Sequence, residues 1–340
     1  MARLFNSVLV TGGAGYCGSY LVPQLLNEGY KVTVYDALFF SDKFLPKVHP
    51  NLKIIQGDIR DIKLFSESIK DIEAILHLAC ISNDASFELD EELSTTINMH
   101  AFEPLVSACK NAGIKRFIYA SSSSVYGVSD APDVTEDHPL VPLTLYNKFK
   151  GLCEPILNDY ASESFTVSTF RPATVCGYAP RLRLDLSVNI LTNHAVTKNK
   201  ITVFGGSQLR PNLNVKDYAN ICQLLLESPT EKIHKDVFNV GNQNMSIANL
   251  AELVKNVVSK EFPEKQEIEI VKTQSDDNRS YHINSDKVAN ILGFIPKYSI
   301  EDAIKDLCIA FKNGKIPNSF ENDIYYNIRT MKKIHNTDAK

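Results

Sequence analysis

The segment Val10-Thr11-Gly12-Gly13-Ala14-Gly15-Tyr16-Cys17-Gly18 constrains this chain more than any other. It follows a β-branched run at residues 7–10. It opens a stretch, residues 15–27, with apolar residues at helical spacing and Gly29 as stop signal. A strand that turns tightly, brings its backbone to a pyrophosphate and packs a helix against itself needs glycines at such intervals. The helix N-terminus then turns N–H groups and the positive end of its dipole toward the phosphates. A glycine string alone is a weak signal. Here the strand before it, the helix and a second strand at residues 31–35 stand where a dinucleotide site needs them. The second strand ends at Asp36, 18 residues after Gly18. An acid there hydrogen-bonds the adenosine ribose and repels a 2′-phosphate. No Arg lies between Asp36 and Asn51, so NAD is expected rather than NADP.

The alternation continues. Strand patterns at residues 52–55, 74–78, 116–120 and 165–170 alternate with helical patterns at 61–69, 93–111 and 145–161. This predicts an α/β chain with a doubly wound, Rossmann-type parallel sheet and helices on both faces. After about residue 176 the rhythm loosens. Strands are expected at 201–204, 237–240 and 267–271, and helices up to about 196 and at 217–226, 247–258 and 300–311. The expected organisation is an NAD-binding domain over 1–175, with about 213–240 returning to it. A smaller mixed α/β substrate domain takes 176–212 and 241–312, and a C-terminal arm takes 313–340. The arm is polar but contains Ile324-Tyr325-Tyr326; it is either a frayed end or an arm docked on the body or on a second subunit, and that patch favours docking.

Composition excludes several classes. A net charge of −4 supplies no basic field for nucleic acid. No apolar run reaches the ~18 residues of a membrane span. The N-terminus reads as a strand rather than a signal peptide, so a cytoplasmic protein is expected. The seven cysteines are scattered without a CxxC pair, and His138 has no partner at metal spacing, so no metal site is expected.

The chemistry is carried by two further patterns. Tyr146 and Lys150 stand at i and i+4, on one helix face. An ammonium near a phenol favours phenolate, and a phenol so tuned can take a proton from a sugar hydroxyl while hydride leaves the carbon. Upstream, the strand at 116–120 opens into Ser121-Ser122-Ser123-Ser124-Val125-Tyr126-Gly127, at the carboxyl end of a strand where open α/β sheets bind ligands. Each pattern alone is common.

Together with Gly57-Asp58-Ile59-Arg60-Asp61 and His77-Leu78-Ala79, these motifs resemble the extended short-chain dehydrogenase/reductase family. More narrowly they resemble its nucleotide-sugar epimerases and dehydratases, over about residues 5–312. The resemblance implies Ser122, Tyr146 and Lys150 as catalytic residues. Ser122 would steady the reacting oxygen, Tyr146 act as general acid/base, and Lys150 support it and bind the nicotinamide ribose. Cofactor contacts are implied at Gly12, Gly15, Tyr16, Cys17, Gly18, Asp36, Asp58, Ile59, Leu78, Ala79, Asn98, Pro172 and Val175. Substrate contacts are implied at Ser123, Ser124, Arg181, Asn189, Val203, Phe204, Arg210 and Arg279, the last two neutralising a diphosphate. A homodimer through a four-helix contact of the helices at 99–111 and 144–160 is implied as well. His77 is read as a structural partner, not a base.

Departures from the family discriminate among reactions. Where its dehydratases resemble one another in an Asp-Glu pair, this chain has Ser123 and Ser124. A serine without an activating base does not abstract a carbon-bound proton at neutral pH. Hydride transfer at C4 remains, as a 4-epimerase or a C4 dehydrogenase. Pro180-Arg181-Leu182-Arg183-Leu184-Asp185 resembles a bacterial subgroup that includes C4 dehydrogenases of GDP-manno-heptose, so a GDP-linked sugar is a candidate substrate in polysaccharide precursor synthesis. The alternatives are a 4,6-dehydratase or reductase, and a non-catalytic NAD(H) sensor of the same fold.

Overall fold

All five residues of β1 (Ser7–Thr11) are buried, as a strand covered on both faces must be. The computed structural model describes residues 3–82, 84–265, 267–274 and 280–338. In its first half β1 leads to α1 (Tyr16–Asn27), β2 (Lys31–Asp36), β3 (Leu52–Gln56), α2 (Ile62–Ser68) and β4 (Ala74–His77). Two short helices, α3 (Asp84–Phe87) and α4 (Glu91–Thr95), precede α5 (Phe102–Asn111), β5 (Arg116–Ala120), α6 (Leu145–Asp159) and β6 (Thr166–Pro172). The second half runs β7 (Thr174–Cys176), α7 (Ser187–Lys198), β8 (Lys200–Phe204), β9 (Leu209–Asn214), α8 (Val215–Glu227), α9 (Thr230–Ile233) and β10 (Asp236–Val240). It ends with β11 (Gln243–Ser246), α10 (Ile247–Glu261), β12 (Glu269–Thr273), α11 (Asp286–Leu292), α12 (Ile300–Lys312) and α13 (Asn327–Asp338).

Seven strands form one sheet in the order β10-β6-β5-β4-β1-β2-β3, every pair parallel. This is a Rossmann α/β fold. The order reverses between β1 and β4, so a crevice opens at the carboxyl ends of these strands. A three-stranded sheet, β11-β9-β7, and a parallel pair, β12-β8, belong to the smaller mixed region. Residues from both halves share one core: Phe170 of β6 packs in a cluster with Tyr218, Leu225 and Phe238. Arg116 of β5 ties the halves further. It is 1% exposed, and its Nη1 donates to the carbonyls of Leu225 (3.0 Å), Leu226 (2.5 Å) and Ser228 (2.7 Å) at the end of α8.

Three differences from the sequence patterns have physical reasons. The helix expected over 93–111 is broken by a π turn, Thr96–His100, between α4 and α5. In this wider turn Asn98 accepts from the N–H of Ile81 (2.8 Å) and donates to its carbonyl (2.9 Å). Strand β9 (Leu-Arg-Pro-Asn-Leu-Asn) carries no alternating pattern and holds a proline, so periodicity does not reveal it. Strand β12 sits two residues later than the expected 267–271, in the register Glu269↔Lys200 to Thr273↔Phe204.

The arm lies on the chain's own body. Ile316, Tyr325 and Tyr326 are buried with Leu182, Leu184 and Leu307, and Met331 enters the cluster that contains Phe102 and Leu157. Among the described residues no helix is long and apolar enough to cross a membrane.

Candidate active site

A cavity of about 370 Å³ occupies the crevice. Its floor is the turn from β1 to α1. Gly12 has φ +70°, and a Cβ there would stand 2.8 Å from the backbone of Ala79. A Cβ on Gly18 would stand 2.5 Å from Gly13. Gly15 caps α1 without any side-chain bond, which leaves the first N–H groups of the helix for a ligand. Asp36 closes the far side at the end of β2. Its carboxylate accepts from the N–H of Ala14 (2.9 Å) and Leu38 (2.8 Å). Burial pushes its pKa up, and these bonds and the charge of Arg181 pull back. The Cys17 thiol, pushed up to about 12 by burial, is a neutral wall group.

The reactive end lies between β5 and α6. Ser122, two residues beyond the end of β5, caps the short helix Ser123–Tyr126. The Ser124 hydroxyl donates to Asn147 Oδ1 in a short bond, so the Ser122 hydroxyl is the donor in the 2.7 Å contact between the two serines. Thr144 caps α6 and donates to Asp84 (2.6 Å), which starts the helix where Tyr146 and Lys150 face the cavity. Lys150 Nζ donates to the carbonyl of Ala120 (2.7 Å). Burial pushes the Tyr146 phenol well up, Cys80 and Asp84 add to this, and Arg183 opposes it.

Behind this end, Glu154 of α6 and Arg171 of β6 form a buried two-point ion pair (2.6 and 3.0 Å), and Ser121 donates to the same carboxylate (2.6 Å). His77 is 3% exposed, bonded to Thr11 Oγ1 (2.9 Å) and ringed by Phe102, Phe117 and Tyr119.

The glycine cradle, the uncapped helix and Asp36 fit NAD. The sequence matches the pattern of the NAD dependent epimerase/dehydratase family over residues 8–241. The chain belongs to this family. It is 30% identical over 320 residues to UDP-glucose 4-epimerase of Lactobacillus helveticus, covering 87% of this chain and 94% of that protein. It is 29% identical over 314 residues to the low-salt glycan biosynthesis protein Agl12 of Haloferax volcanii, covering 90% and 98%. The structure of UDP-N-acetylglucosamine 4-epimerase from Methanobrevibacter ruminantium M1, in complex with UDP-N-acetylmuramic acid, superposes with a TM-score of 0.81. That match has 25% identity and covers 91% of this chain and 99% of that one.

The cavity wall of this epimerase/dehydratase family member contains most of the residues singled out in the sequence. Gly12, Gly15, Tyr16, Cys17, Gly18, Asp36, Asp58, Ile59, Leu78, Ala79, Pro172 and Val175 line it, as do Ser122, Ser123, Ser124, Tyr146, Lys150 and Arg181. Asp58 is held below its usual pKa; burial works against its charge, but the bonds and charge of Arg60 outweigh it.

Five residues stand elsewhere. Asn98 is behind the wall, both its amide atoms taken by Ile81. Asn189 is fully buried: it accepts from Gly177 N–H (2.9 Å) and donates to the carbonyl of Arg183 (2.8 Å). Val203 is in the core beneath β8, and Phe204 is 60% exposed. Arg210 lies on β9 beside Tyr281, itself a wall residue. Arg279 lies outside the described residues. The sequence did not point to wall residues Ser82, Asp84, Asn147 and Asn327; Arg183, in the segment 180–185 singled out in the sequence, lines the wall as well. Of the four, only Asn147 adjoins a recognisable motif.

Proposed function

We propose that this protein is an NAD-dependent oxidoreductase of nucleoside-diphosphate sugars that moves hydride at C4, as a 4-epimerase or a C4 dehydrogenase. The observation that carries this is the reactive end of the cavity: Ser122, Tyr146 and Lys150 line one space with Ser123 and Ser124, the residues that stand in place of the Asp-Glu pair expected of a dehydratase from the family resemblance. Among the described wall residues the carboxylates are Asp36, Asp58 and Asp84. The first two belong to the dinucleotide end. Asp84 is engaged by Thr144 at the start of α6.

NAD, when bound by the glycine turn and Asp36, would supply the hydride acceptor. Tyr146 acts as the phenolate, which the Lys150 ammonium favours; it takes the proton of the C4 hydroxyl and becomes the phenol, and Ser122 turns its O–H from Ser124 to the same oxygen. Lys150 has two further N–H groups for a ribose hydroxyl and the phenolate. Arg181, stacked over Phe40 (3.8 Å) near Asp36, is better placed for the dinucleotide's phosphates than for the sugar. The Lactobacillus helveticus relative is named for UDP-glucose; the segment 180–185 makes a GDP-linked sugar or heptose the first alternative. The proposed assembly is a cytoplasmic homodimer through α5 and α6, where Leu145 and Leu152 stand 39% and 41% exposed.

The test is to incubate the purified holoprotein with GDP-, UDP-, dTDP- and CDP-sugars, with absorbance followed at the NADH band and sugars by NMR. A lasting rise with one nucleotide class identifies a dehydrogenase. A new sugar isomer without net NADH identifies an epimerase. A dehydrated product, or no reaction in a protein that holds NAD, overturns the proposal.

A further inference from the structure

The C-terminal arm touches the cavity at Asn327. This residue is 4% exposed although it begins a largely polar helix. Its N–H donates to Asp185 Oδ2 (3.0 Å), its Oδ1 accepts from Arg181 Nη2 (2.6 Å), and its Nδ2 donates to Ser82 Oγ (3.0 Å). Two residues earlier, the carbonyl of Tyr325 accepts from the N–H of Leu184 (2.8 Å). Arg183 uses the same partners, donating to Asp185 Oδ1 (2.9 Å) and Ser82 Oγ (3.0 Å). The turn 181–185 is irregular and carries two guanidiniums that are 1% and 7% exposed. Nε of Arg181 and Nη2 of Arg183 are buried without a hydrogen-bond partner.

Two like charges in one buried turn repel, and unspent donors there are costly unless an anion comes to them. A turn without secondary structure needs outside contacts to hold both cations toward one space. The arm supplies them at Leu184 and Asp185 and at Arg181 itself.

We propose that Asn327 is a positioning residue: by bridging Arg181, Asp185 and Ser82 it holds both guanidiniums toward the phosphates of the bound dinucleotide and nucleotide sugar. Arm docking and phosphate-ligand binding are then one coupled equilibrium, in which each strengthens the other by the same factor. This rests on the nucleotide-sugar reading above only for the second ligand.

The full-length protein tests it, with NAD+ and GDP or UDP as probes. Hydrogen exchange at the amides of Leu184 and Asn327 should slow when either probe binds. Exchange unchanged by both overturns the proposal. Asn327→Asp keeps the acceptor for Arg181 and Asn327→Leu removes it. A hydrogen bond to a charged group corresponds to roughly a tenfold or larger loss. Asn327→Leu should therefore weaken NAD+ by about tenfold or more, with Asn327→Asp restoring affinity to within about threefold of the parent. Equal affinities in all three proteins, or equal losses in both variants, overturn it. If Asn327→Leu does not fold, the exchange experiment on the unaltered chain decides. A protein that turns over no nucleotide sugar yet protects these amides with NAD+ defeats the proposed activity and leaves this inference standing.

Discussion

Single side chains at the reactive end have distinct duties. The short bond from Ser124 to Asn147 fixes the direction of the hydroxyl chain and so leaves Ser122 as a donor. Tyr146→Phe removes the proposed proton acceptor and nothing that holds the fold. Turnover should fall on the order of 10²–10⁴-fold, with bound NAD retained; activity near the parent's would refute the assignment. His77 offers a prediction on stability. Burial, with Lys150 adding, pushes its pKa down to about 3, while a free imidazole titrates near ~6.5. Below that pH the unfolded chain takes up a proton that the folded chain refuses, so stability falls as pH falls from about 6.5 toward 3. His77→Gln should flatten this slope by up to about 1.4 kcal/mol per pH unit between pH 6 and 4, read from urea unfolding. Tyr146, Lys150 and Ser122 were legible because each sits in a local motif. Asn327 and Ser82 were not, because their meeting spans 245 residues.

At the level of elements, α6 is the part that must not shift. It carries Tyr146 and Lys150 toward the cavity and Glu154 toward Arg171 of β6. Glu154→Ala would leave a buried guanidinium uncompensated, a change that typically costs about 3–5 kcal/mol. The midpoint of urea unfolding should drop accordingly, and a shift below about 1 kcal/mol would mean the pair contributes little. The turn before α1 predicts a separate loss. Gly18→Ala puts a methyl 2.5 Å from Gly13, so NAD retention should fall together with thermal stability. The β1–α1–β2 unit was plain in the sequence because buried parallel strands read as apolar runs and the glycines have one use. The small strands were less so: β7 has three residues, and β11 (Gln-Asn-Met-Ser) pairs with a proline-containing neighbour. The π turn was invisible because its residues keep the helical pattern on both sides.

Across the whole molecule, the two halves do not separate along the chain. Strand β10 pairs with β6 over Asp236↔Ser168 to Val240↔Pro172, and α8 packs on α1. The core around Phe170 is completed by Leu213, Tyr218, Leu225 and Phe238. A fragment of residues 1–175 should therefore fail to give a monomeric folded protein, although it contains the glycine turn, Tyr146 and Lys150. Circular dichroism and gel filtration of the fragment check this; a folded, NAD-binding fragment would show that the shared core is dispensable.

The carbonyls around Arg116 also set an order in time. A ribosome releases this chain from its N-terminus, and Arg116 leaves well before its partners, the first of them 109 residues further along. Until Ser228 and then Val240 emerge, the strand leading to Ser122 has a guanidinium without its collar and β6 presents an open edge. The nascent chain cannot finish its cofactor site as it is made. It passes through an interval in which its unpaired strand edge is exposed until the chain's own second half arrives to cover it.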